Sequence, residues 1–238
     1  MEDFVHLHVH THYSILDGQS KVPYLVDKAI KDGMKGMAIT DHGVMYGIKE
    51  FADYCGKVNK KRKADGLEPF KPIFGCEMYV AHHHKEDRKK EDGDNSGYHL
   101  IVLAKNYKGY KNLIKLVSRS WVDGYYYRPR TDRYDLEQFH EGLIVSSACL
   151  GGEIPQKIMK GKLDEAREAV EWYHNLFGDD FYLELQRHEV TDPSIRANRE
   201  VFPLQQKVNA VLMQFAKEYG IKLICTNDCH FEDKDTAE

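Results

Sequence analysis

The sequence predicts an α/β fold whose strands form a parallel sheet that closes into a barrel. Short apolar runs typical of strands alternate along the chain with longer amphipathic runs typical of helices. The polar residues that suit ligand binding fall close to strand ends. A closed barrel would bring those ends to one mouth, whereas an open sheet would spread them along an edge. The chain has 238 residues, which is enough for one domain of barrel size.

The first strand is predicted in a segment that carries a histidine at every second position. These histidines are His6, His8, His10 and His12. Alternate side chains of a strand point to the same face, so the segment should have one apolar side and one side that gathers imidazoles. Because each buried imidazole needs a polar partner, this arrangement favours a metal site over an ordinary apolar core.

The later elements follow in order, and each is bounded by a capping residue, a glycine or a change of pattern. Helices are expected over 22–31, 44–64, 110–121, 163–177 and 204–219, and strands over 36–40, 72–80, 99–104, 142–149, 181–185 and 221–228. Segment 82–97 is highly charged and has no apolar anchor, so it is predicted to be a mobile surface loop. Its consecutive histidines 82–84 are interpreted as solvated rather than as ligands, because consecutive side chains diverge.

Composition narrows the class of protein. No apolar run approaches the roughly 20 residues needed to span a bilayer, and no secretory pattern opens the chain, so a cytoplasmic protein without a membrane partner is expected. Five cysteines at irregular spacing argue against a disulfide framework. The net charge of −4 argues against nucleic-acid binding through a global positive field, so a phosphate substrate would need bound metal or a local basic patch.

Six motifs in order resemble the PHP (polymerase and histidinol phosphatase) domain family over the whole chain. They are HLHVHTHYS, ITDHG, GCEMYV, YHLIVLAKN, YYYRPR followed by GLIVSSACLGGEI, and ICTNDCHF. The resemblance is closest to the members at the N-terminus of the bacterial DNA polymerase III alpha subunit. It implies a distorted (β/α)7 barrel of the TIM-like type, with one domain over 1–238. The ending DKDTAE, which lacks a helix stop, adds the expectation of a fragment of a longer polymerase chain.

The resemblance also implies a ligand set for up to three metal ions. The matching positions are His8, His10, Asp17, His42, Glu77, His99, Cys149, Asp228 and His230. Two or three divalent ions are expected, with Glu77 as the bridge and Zn²⁺ favoured by the mixture of imidazole, carboxylate and one thiolate, although Mn²⁺ or Fe also suits it. A metal-bound water held by Glu77 and the other ligands would be the nucleophile. His6 and His12 are expected not to be ligands, and Asp41 is expected to support the neighbouring His42.

The implied activity is phosphoester hydrolysis, and in a polymerase the expected form is 3′-to-5′ exonuclease proofreading at the 3′ end of DNA. The expected partners are DNA, the remainder of the polymerase chain and other replisome subunits. Arg128 and Arg130 are candidate phosphate contacts, with tyrosines 125–127 as stacking surfaces, although a solvated surface run is an equal interpretation. Two alternatives stay open: a metal-stabilised scaffold that docks a proofreading subunit without catalysis, and a phosphomonoesterase of the histidinol phosphatase type.

Overall fold

A computed structural model describes residues 4–88, 96–190, 192, 194–195 and 197–232. Its helices are α1 (Val22–Lys31), α2 (Ile48–Ala64), α3 (Tyr107–Val122), α4 (Arg133–Phe139), α5 (Glu153–Met159), α6 (Leu163–Phe177) and α7 (Phe202–Tyr219). Its strands are β1 (Gly36–Ile39), β2 (Lys71–Val80), β3 (Tyr98–Ala104), β4 (Tyr125–Tyr126), β5 (Arg128–Thr131), β6 (Leu143–Ser146), β7 (Phe181–Gln186) and β8 (Lys222–Thr226). None of the helices in these described ranges is long and apolar enough to cross a membrane.

The sheet curls into a ring. Strand β2 pairs with β1 and β3, and the order then continues through β6, β7 and β8. The extended segment 6–10 fills the remaining gap: Ala38 N donates to His6 O at 2.8 Å on one side, and on the other His10 N donates to Cys229 O at 2.8 Å, just beyond β8. The ring therefore has seven members, which confirms the predicted distorted TIM-like barrel. The hairpin β4–β5 extends β2 outside the ring.

The prediction of a wholly parallel sheet is wrong at one strand. Strand β3 runs antiparallel to both of its neighbours, β2 and β6, while β6, β7 and β8 pair in parallel. The start of β3 therefore lies at the end of the barrel where the other strands finish. This reversal explains why His99, near the first residue of its strand, joins ligands that follow their strands.

The strict alternation predicted for the first segment is interrupted by a bulge. Ala38 N donates to His6 O, and Thr40 N donates to Val9 O. Between these two hydrogen bonds the first segment advances by three residues while β1 advances by two, so the first segment contains one extra residue. As a result Leu7 packs against the apolar cluster inside the barrel instead of lying on the outer face with Val9. His6 turns outward, although the alternation placed it on the same face as His8 and His10, and its Nδ1 lies 3.6 Å from Cys229 Sγ.

Apolar packing holds the ring on both of its faces. Outside the sheet, one core includes Met78, Val102 and Leu116 under α3, α5, α6 and α7, and a second lies under α1 and α2. Inside the barrel, a smaller cluster contains Ala38, Ile101 and Leu103. Each fully buried aliphatic side chain contributes about 1.5–3 kcal/mol relative to exposure, so the outer layers supply most of the stability.

Only part of the predicted mobile loop 82–97 lies within the described residues, because 89–95 fall outside them. In the described part, Lys85 is buried and its Nζ lies 2.6 Å from Asp135 Oδ2 on α4. Segment 82–88 is therefore anchored, contrary to the expectation, because a buried ammonium requires a carboxylate partner. His83 and His84 are exposed, as expected for solvated histidines, but His82 is half-buried and its ring stacks on that of Tyr98, with centroids 4.1 Å apart.

Candidate metal centre

A single buried carboxylate, that of Glu77 on β2, lies at the centre of the mouth. Its Oε2 lies 2.7 Å from His8 Nε2 and 3.5 Å from His10 Nε2. Its Oε1 lies 2.8 Å from His42 Nδ1 and 2.7 Å from His99 Nδ1. The two oxygens thus face two different pairs of imidazoles, which is the arrangement that a bridging carboxylate requires.

Asp228 completes the group around His8 and His10. Its Oδ1 lies 3.1 Å from His8 Nε2 and 3.2 Å from His10 Nε2. Although these atoms are close, Oδ1 is buried and forms no hydrogen bond of acceptable geometry with any described residue. Asp228 also has a φ of 50°, which is strained for a residue other than glycine. A buried carboxylate oxygen without a donor, held on a strained backbone, is a specific sign of a site built for a cation.

A second group lies on the other side of Glu77. Cys149 follows β6, and its Sγ lies 3.5 Å from His99 Nδ1. The preceding residue, Ala148, has a φ of 58°, so the turn that presents the thiol is also strained. Burial raises the pKa of the Cys149 thiol above its usual value. The thiol would therefore ionise at neutral pH only with a strong positive charge, such as a metal ion, beside it.

Three imidazoles form a third group at the rim. The ring of His10 lies 4.0 Å from that of His42 and 4.2 Å from that of His230, measured between centroids. Asp17 faces the same rings, with Oδ2 at 3.2 Å from His42 Nε2 and 3.9 Å from His230 Nε2. Three imidazoles packed this closely would repel one another if all were protonated, so a shared cation is the arrangement that suits them.

The structure thus brings all nine predicted ligands to one mouth. Three donor groups each have ligand atoms within 4.8 Å of one another: His8, His10, Glu77 and Asp228; Glu77, His99 and Cys149; and His10, His42 and His230. Asp17 adjoins the last of these groups through His42. The donor chemistry and the orphaned oxygen of Asp228 fit divalent metal ions. That the nine residues bind such ions stays a prediction.

The charges of the mouth are adjusted to one another. Burial alone would raise the pKa of the Glu77 carboxyl, but His99 and the other imidazoles around it hold that pKa well below its usual range. Burial alone would lower the pKa of His10, but the nearby carboxylates of Asp228 and Glu77 raise it to about 9. Burial would also lower the pKa of His99, but Glu77 and Cys149 raise that pKa to about 11. The buried carboxylates therefore require positive charge, supplied by protons when no metal ion is bound.

Two supporting residues were not identified from the sequence. Glu184 on β7 is buried, and its Oε1 lies 2.7 Å from His8 Nδ1. Ser14 Oγ lies 3.0 Å from His10 Nδ1 and donates to Asp41 Oδ1 at 2.9 Å. Asp41 therefore supports the cluster, as expected, although it acts through Ser14 on His10. The one signal for Glu184 was its position as the single charged residue in the apolar run FYLEL.

Two flanking histidines, which are expected not to be ligands, lie outside the cluster. His6 packs edge to face on Phe4, with ring centroids 4.9 Å apart. The imidazole of His12 is half exposed, and its Nε2 lies 3.9 Å from Glu50 Oε2. Within the described residues, neither histidine belongs to a group of potential ligands.

The two arginines predicted to bind phosphate lie in different environments. Arg128 is partly exposed at the mouth, and its guanidinium lies 5.6 Å from the ring centroid of Tyr79, whose ring in turn lies 5.2 Å from that of His99. Arg130 is completely buried, and its Nη2 donates to Lys85 O at 2.8 Å and Asp87 O at 2.7 Å. The prediction that Arg130 contacts substrate is therefore wrong, because it has no exposed surface and anchors segment 82–88 instead.

Two cavities open at opposite ends of the barrel. The mouth cleft encloses about 500 Å³ and is lined by Asp17, His42 and His99 together with aromatic side chains. A larger cavity of about 990 Å³ reaches the other end and is lined by apolar residues such as Ile73, Leu103 and Ile144. No histidine, cysteine or carboxylate lines that larger cavity in the described part of the chain, so the chemistry belongs to the smaller cleft.

Comparison with known proteins gives a consistent picture. Residues 6–188 match the family model described as PHP domain. The chain is 43% identical over 234 residues to the DNA polymerase III subunit alpha of Borreliella burgdorferi, covering 98% of this chain and 18% of that protein. It is 41% identical over 238 residues to the same subunit of Thermus aquaticus, again covering 98% and 18%. The chain thus spans about a fifth of the length of these curated relatives.

Solved structures share the fold at low sequence identity. A candidate metal-dependent phosphoesterase from Bifidobacterium adolescentis has a TM-score of 0.52 and 15% identity, with 100% of this chain and 91% of that chain covered. An amidohydrolase from Chromobacterium violaceum, with bound sulfate and no metal, has a TM-score of 0.52 and 12% identity, with 98% and 90% covered. At these identities the similarity concerns the fold alone.

Proposed function

The chain belongs to the PHP domain family, and on this premise we propose that its mouth hydrolyses phosphoester bonds with two or three divalent metal ions. The proposed substrate is the 3′ end of DNA, and the proposed reaction is 3′-to-5′ exonucleolytic removal of a nucleotide. The observation that carries the proposal is Glu77, a buried carboxylate whose two oxygens face two separate donor groups. This carboxylate would help to hold ions in both donor groups, and those ions would supply the charge stabilisation that in-line displacement at phosphorus needs.

The donor set favours Zn²⁺. Imidazoles suit Zn²⁺, Mn²⁺ and Fe, but the thiol of Cys149 favours Zn²⁺ or Fe over Mn²⁺ in the group with Glu77 and His99. When bound, the ions would supply a water of lowered pKa and would neutralise charge on the phosphoryl oxygens.

The protein's own groups would position the substrate and keep the ions in place. Arg128, partly exposed over Tyr79 at the rim, is placed to contact a phosphate that enters the cleft. Cys149 is proposed to hold an ion rather than to attack phosphorus, because burial raises its pKa and the imidazole beside it, His99, is itself a proposed ligand. The chain is therefore expected to need no covalent intermediate.

We further propose that residues 1–238 act as a single domain within a longer polymerase chain, with the rest of that chain and other replisome subunits as partners. The support is the identity of about 40% to two DNA polymerase III alpha subunits. Nucleotidyl transfer would then belong to other parts of the longer protein, and none is expected from these residues alone.

A nuclease assay with defined metal content tests the proposal. The purified chain would be stripped with a chelator, reloaded with Zn²⁺ or Mn²⁺, and offered a 5′-labelled single-stranded oligonucleotide beside a chromogenic phosphomonoester. Successive shortening from the 3′ end that disappears with chelator is the expected result. Cleavage that resists the chelator would contradict the mechanism. Fully metallated protein that cleaves neither substrate would favour the scaffold, and cleavage of the phosphomonoester alone would favour the phosphatase.

A further inference from the structure

A pair of stacked aromatic side chains borders the mouth cleft. The rings of Trp121, in the last turn of α3, and Tyr125, on β4, have centroids 5.5 Å apart and planes inclined by 22°. Both nevertheless remain exposed, at 41% and 48%. Contiguous aromatic surface exposed to water is unfavourable and often marks a binding site. The Trp121–Tyr125 pair, which we call the aromatic wall, therefore has the properties of a binding surface.

The wall is attached directly to the metal centre. Trp121 Nε1 donates to Gly43 O at 2.8 Å, and Gly43 follows the proposed ligand His42 in the chain. This bond fixes the indole ring relative to the imidazole. Arg128, which follows the hairpin turn, completes the rim between the wall and the ligands.

Aliphatic side chains also line the cleft, and they are more exposed than the two aromatic rings. Ile15 and Leu16 are 80% and 76% exposed, and they belong to the turn that carries the proposed ligand Asp17. The cleft thus has an aromatic side, an aliphatic side and a floor of metal ligands. Its volume of about 500 Å³ accommodates one flat ring system and its sugar phosphate.

We propose that Trp121 and Tyr125 bind the base of an unpaired nucleotide whose phosphate lies on the metal ligands. This subsite rests on the proposed phosphoesterase function, and it adds a requirement that the nucleotide being removed has left its duplex. A paired terminal base is already stacked on its neighbour and would have to unpair before it reached the wall, whereas a mismatched or single-stranded end presents a free face. Stacking does not depend on base identity, so the cleft should accept all four bases.

The test separates binding of the base from hydrolysis. An oligonucleotide with a 3′-terminal 2-aminopurine is mixed with metal-loaded protein in a stopped-flow instrument. Its fluorescence is recorded at times before any cleavage product appears in samples whose reaction has been stopped with acid. Cleavage is measured separately on single strands that end in thymidine or in an abasic nucleotide. Unsubstituted protein should quench the fluorescence and should cleave the thymidine end with a kcat/KM about tenfold above that for the abasic end.

Variants decide the assignment. The double substitution of Trp121→Ala and Tyr125→Ala should remove both the quenching and the base preference, and Trp121→Phe, which keeps a ring, should retain most of both. Tyr134→Ala is the matched control, because Tyr134 is exposed on α4 and does not line the cleft. Quenching that survives in the double variant, or equal cleavage of the two ends by unsubstituted protein, would overturn the subsite. Trp121-dependent quenching without any cleavage would preserve the subsite and refute the proposed hydrolysis.

A separate observation concerns Glu184, which is almost completely buried on β7. Its carboxylate accepts a hydrogen bond from Gln186 Nε2 at 3.0 Å and from the hydroxyls of Ser146 and Thr226, in addition to its contact with His8 Nδ1. An ionised carboxylate only accepts, so the proton of that last contact must be carried by His8 Nδ1. His8 Nε2 then faces Glu77 Oε2 at 2.7 Å, within the first donor group.

The geometry points to Glu184 as the positioning residue of the metal centre. By holding the proton on His8 Nδ1, it reserves Nε2 for a metal ion and fixes the plane of the ring. Ser146 and Thr226 come from the neighbouring strands β6 and β8, so the carboxylate is fixed from both sides. This role likewise rests on the proposed metal binding.

Competition with a chromophoric chelator measures the affinity for Zn²⁺ independently of hydrolysis. Glu184→Gln should lower the affinity of the tightest Zn²⁺ site by about 10–100-fold. In ¹⁵N NMR spectra of the zinc-loaded protein, the His8 Nδ1 proton should exchange with water faster in this variant. Glu153→Gln is the matched control, because Glu153 is also buried but its carboxylate pairs with Arg133 and Lys157 and belongs to none of the three donor groups. Unchanged Zn²⁺ affinity in Glu184→Gln, or equal loss in both variants, would overturn the assignment. An affinity that depends on Glu184 in a protein without hydrolytic activity would refute only the proposed function.

Discussion

The two ends of the barrel differ although the same strands build both. Along the inner face of β2, the side chains change from Ile73 to Gly75, Glu77 and then Tyr79. Ile73 packs in the apolar cluster, and a side chain at Gly75 would collide with Leu103, 2.5 Å from the position of its Cβ. Glu77, one step further, is surrounded by imidazoles. The apolar packing inside the barrel and the ligand cluster are thus only two residues apart along β2. We expect that substitutions in one of these regions have little effect on the other.

Strained backbone conformations occur at the mouth of the barrel and not at its apolar end, within the described residues. Within the described residues, three residues other than glycine have a positive φ: Tyr127, Ala148 and Asp228. Asp228 and the neighbour of Ala148, Cys149, are proposed ligands, and Tyr127 lines the mouth cleft. Such conformations cost about 1–3 kcal/mol each, and they persist only where surrounding structure enforces them. The apolar end, with regular strand pairing, supplies that enforcement.

The largest effect that distinguishes the ends is expected from Glu77→Ala. Loss of the bridging carboxylate should reduce phosphoesterase activity by more than about 100-fold, because removal of a ligand exceeds the 10–100-fold cost of losing a supporting contact. The metal content per chain, measured by mass spectrometry, should fall in parallel. His83→Ala, on the exposed part of segment 82–88, is the control and should change neither quantity. If Glu77→Ala and His83→Ala lost equal activity and metal content, Glu77 would have no special role at the mouth.

The next effect is expected from Arg128→Ala at the rim. Loss of a charge-assisted contact with phosphate should raise KM about tenfold, with unchanged metal content and an unchanged unfolding midpoint. Arg167→Ala is the control, because that arginine pairs with Glu218 on the helical exterior. If KM does not respond, Arg128 has no role in substrate binding.

At the apolar end, Ile144→Val should lower the free energy of unfolding by about 0.5–1 kcal/mol, since it removes one methylene group that packs against the inner cluster. Denaturant titration measures the loss, and the stoichiometry of bound metal should stay the same. A change in metal stoichiometry in this variant would show that the two ends are more tightly coupled than the structure indicates.

The last prediction concerns the pH dependence of stability. Without metal, the pKa of His10 is about 9 and that of His99 about 11, compared with a usual value of 6.5. Raised pKa values contribute stability that is complete below pH 6.5 and is lost as the pH rises through 9 and then 11. Metal-free protein should therefore melt at a lower temperature at pH 10 than at pH 7, whereas metal-loaded protein, whose imidazoles are already neutral, should change less. Parallel changes in both forms would contradict this origin.

Sequence patterns identified most of the mouth because its ligands occur as short, chemically distinctive motifs. The barrel and the convergence of pairs such as His8 and His10 followed from strand periodicity and family resemblance. The reversal of β3 was not predictable, because a strand looks the same in either direction. The bulge after His6 reversed the expected faces of two residues, since periodicity assumes an unbroken ladder. Arg130 was misassigned because an arginine buried on backbone carbonyls has the same sequence signature as one that binds phosphate.

The closure of the ring also bears on how the protein is synthesised. His6 and Cys229, whose side chains meet on the outer face of the ring, are 223 residues apart in the chain. A ribosome therefore produces the first imidazoles long before the last strand exists to receive them. Such distant pairing makes folding slow, and it makes the cluster one of the final features to form. A growing chain should accordingly be unable to retain metal ions, and in refolding experiments the capacity to bind Zn²⁺ should return only with the slowest phase.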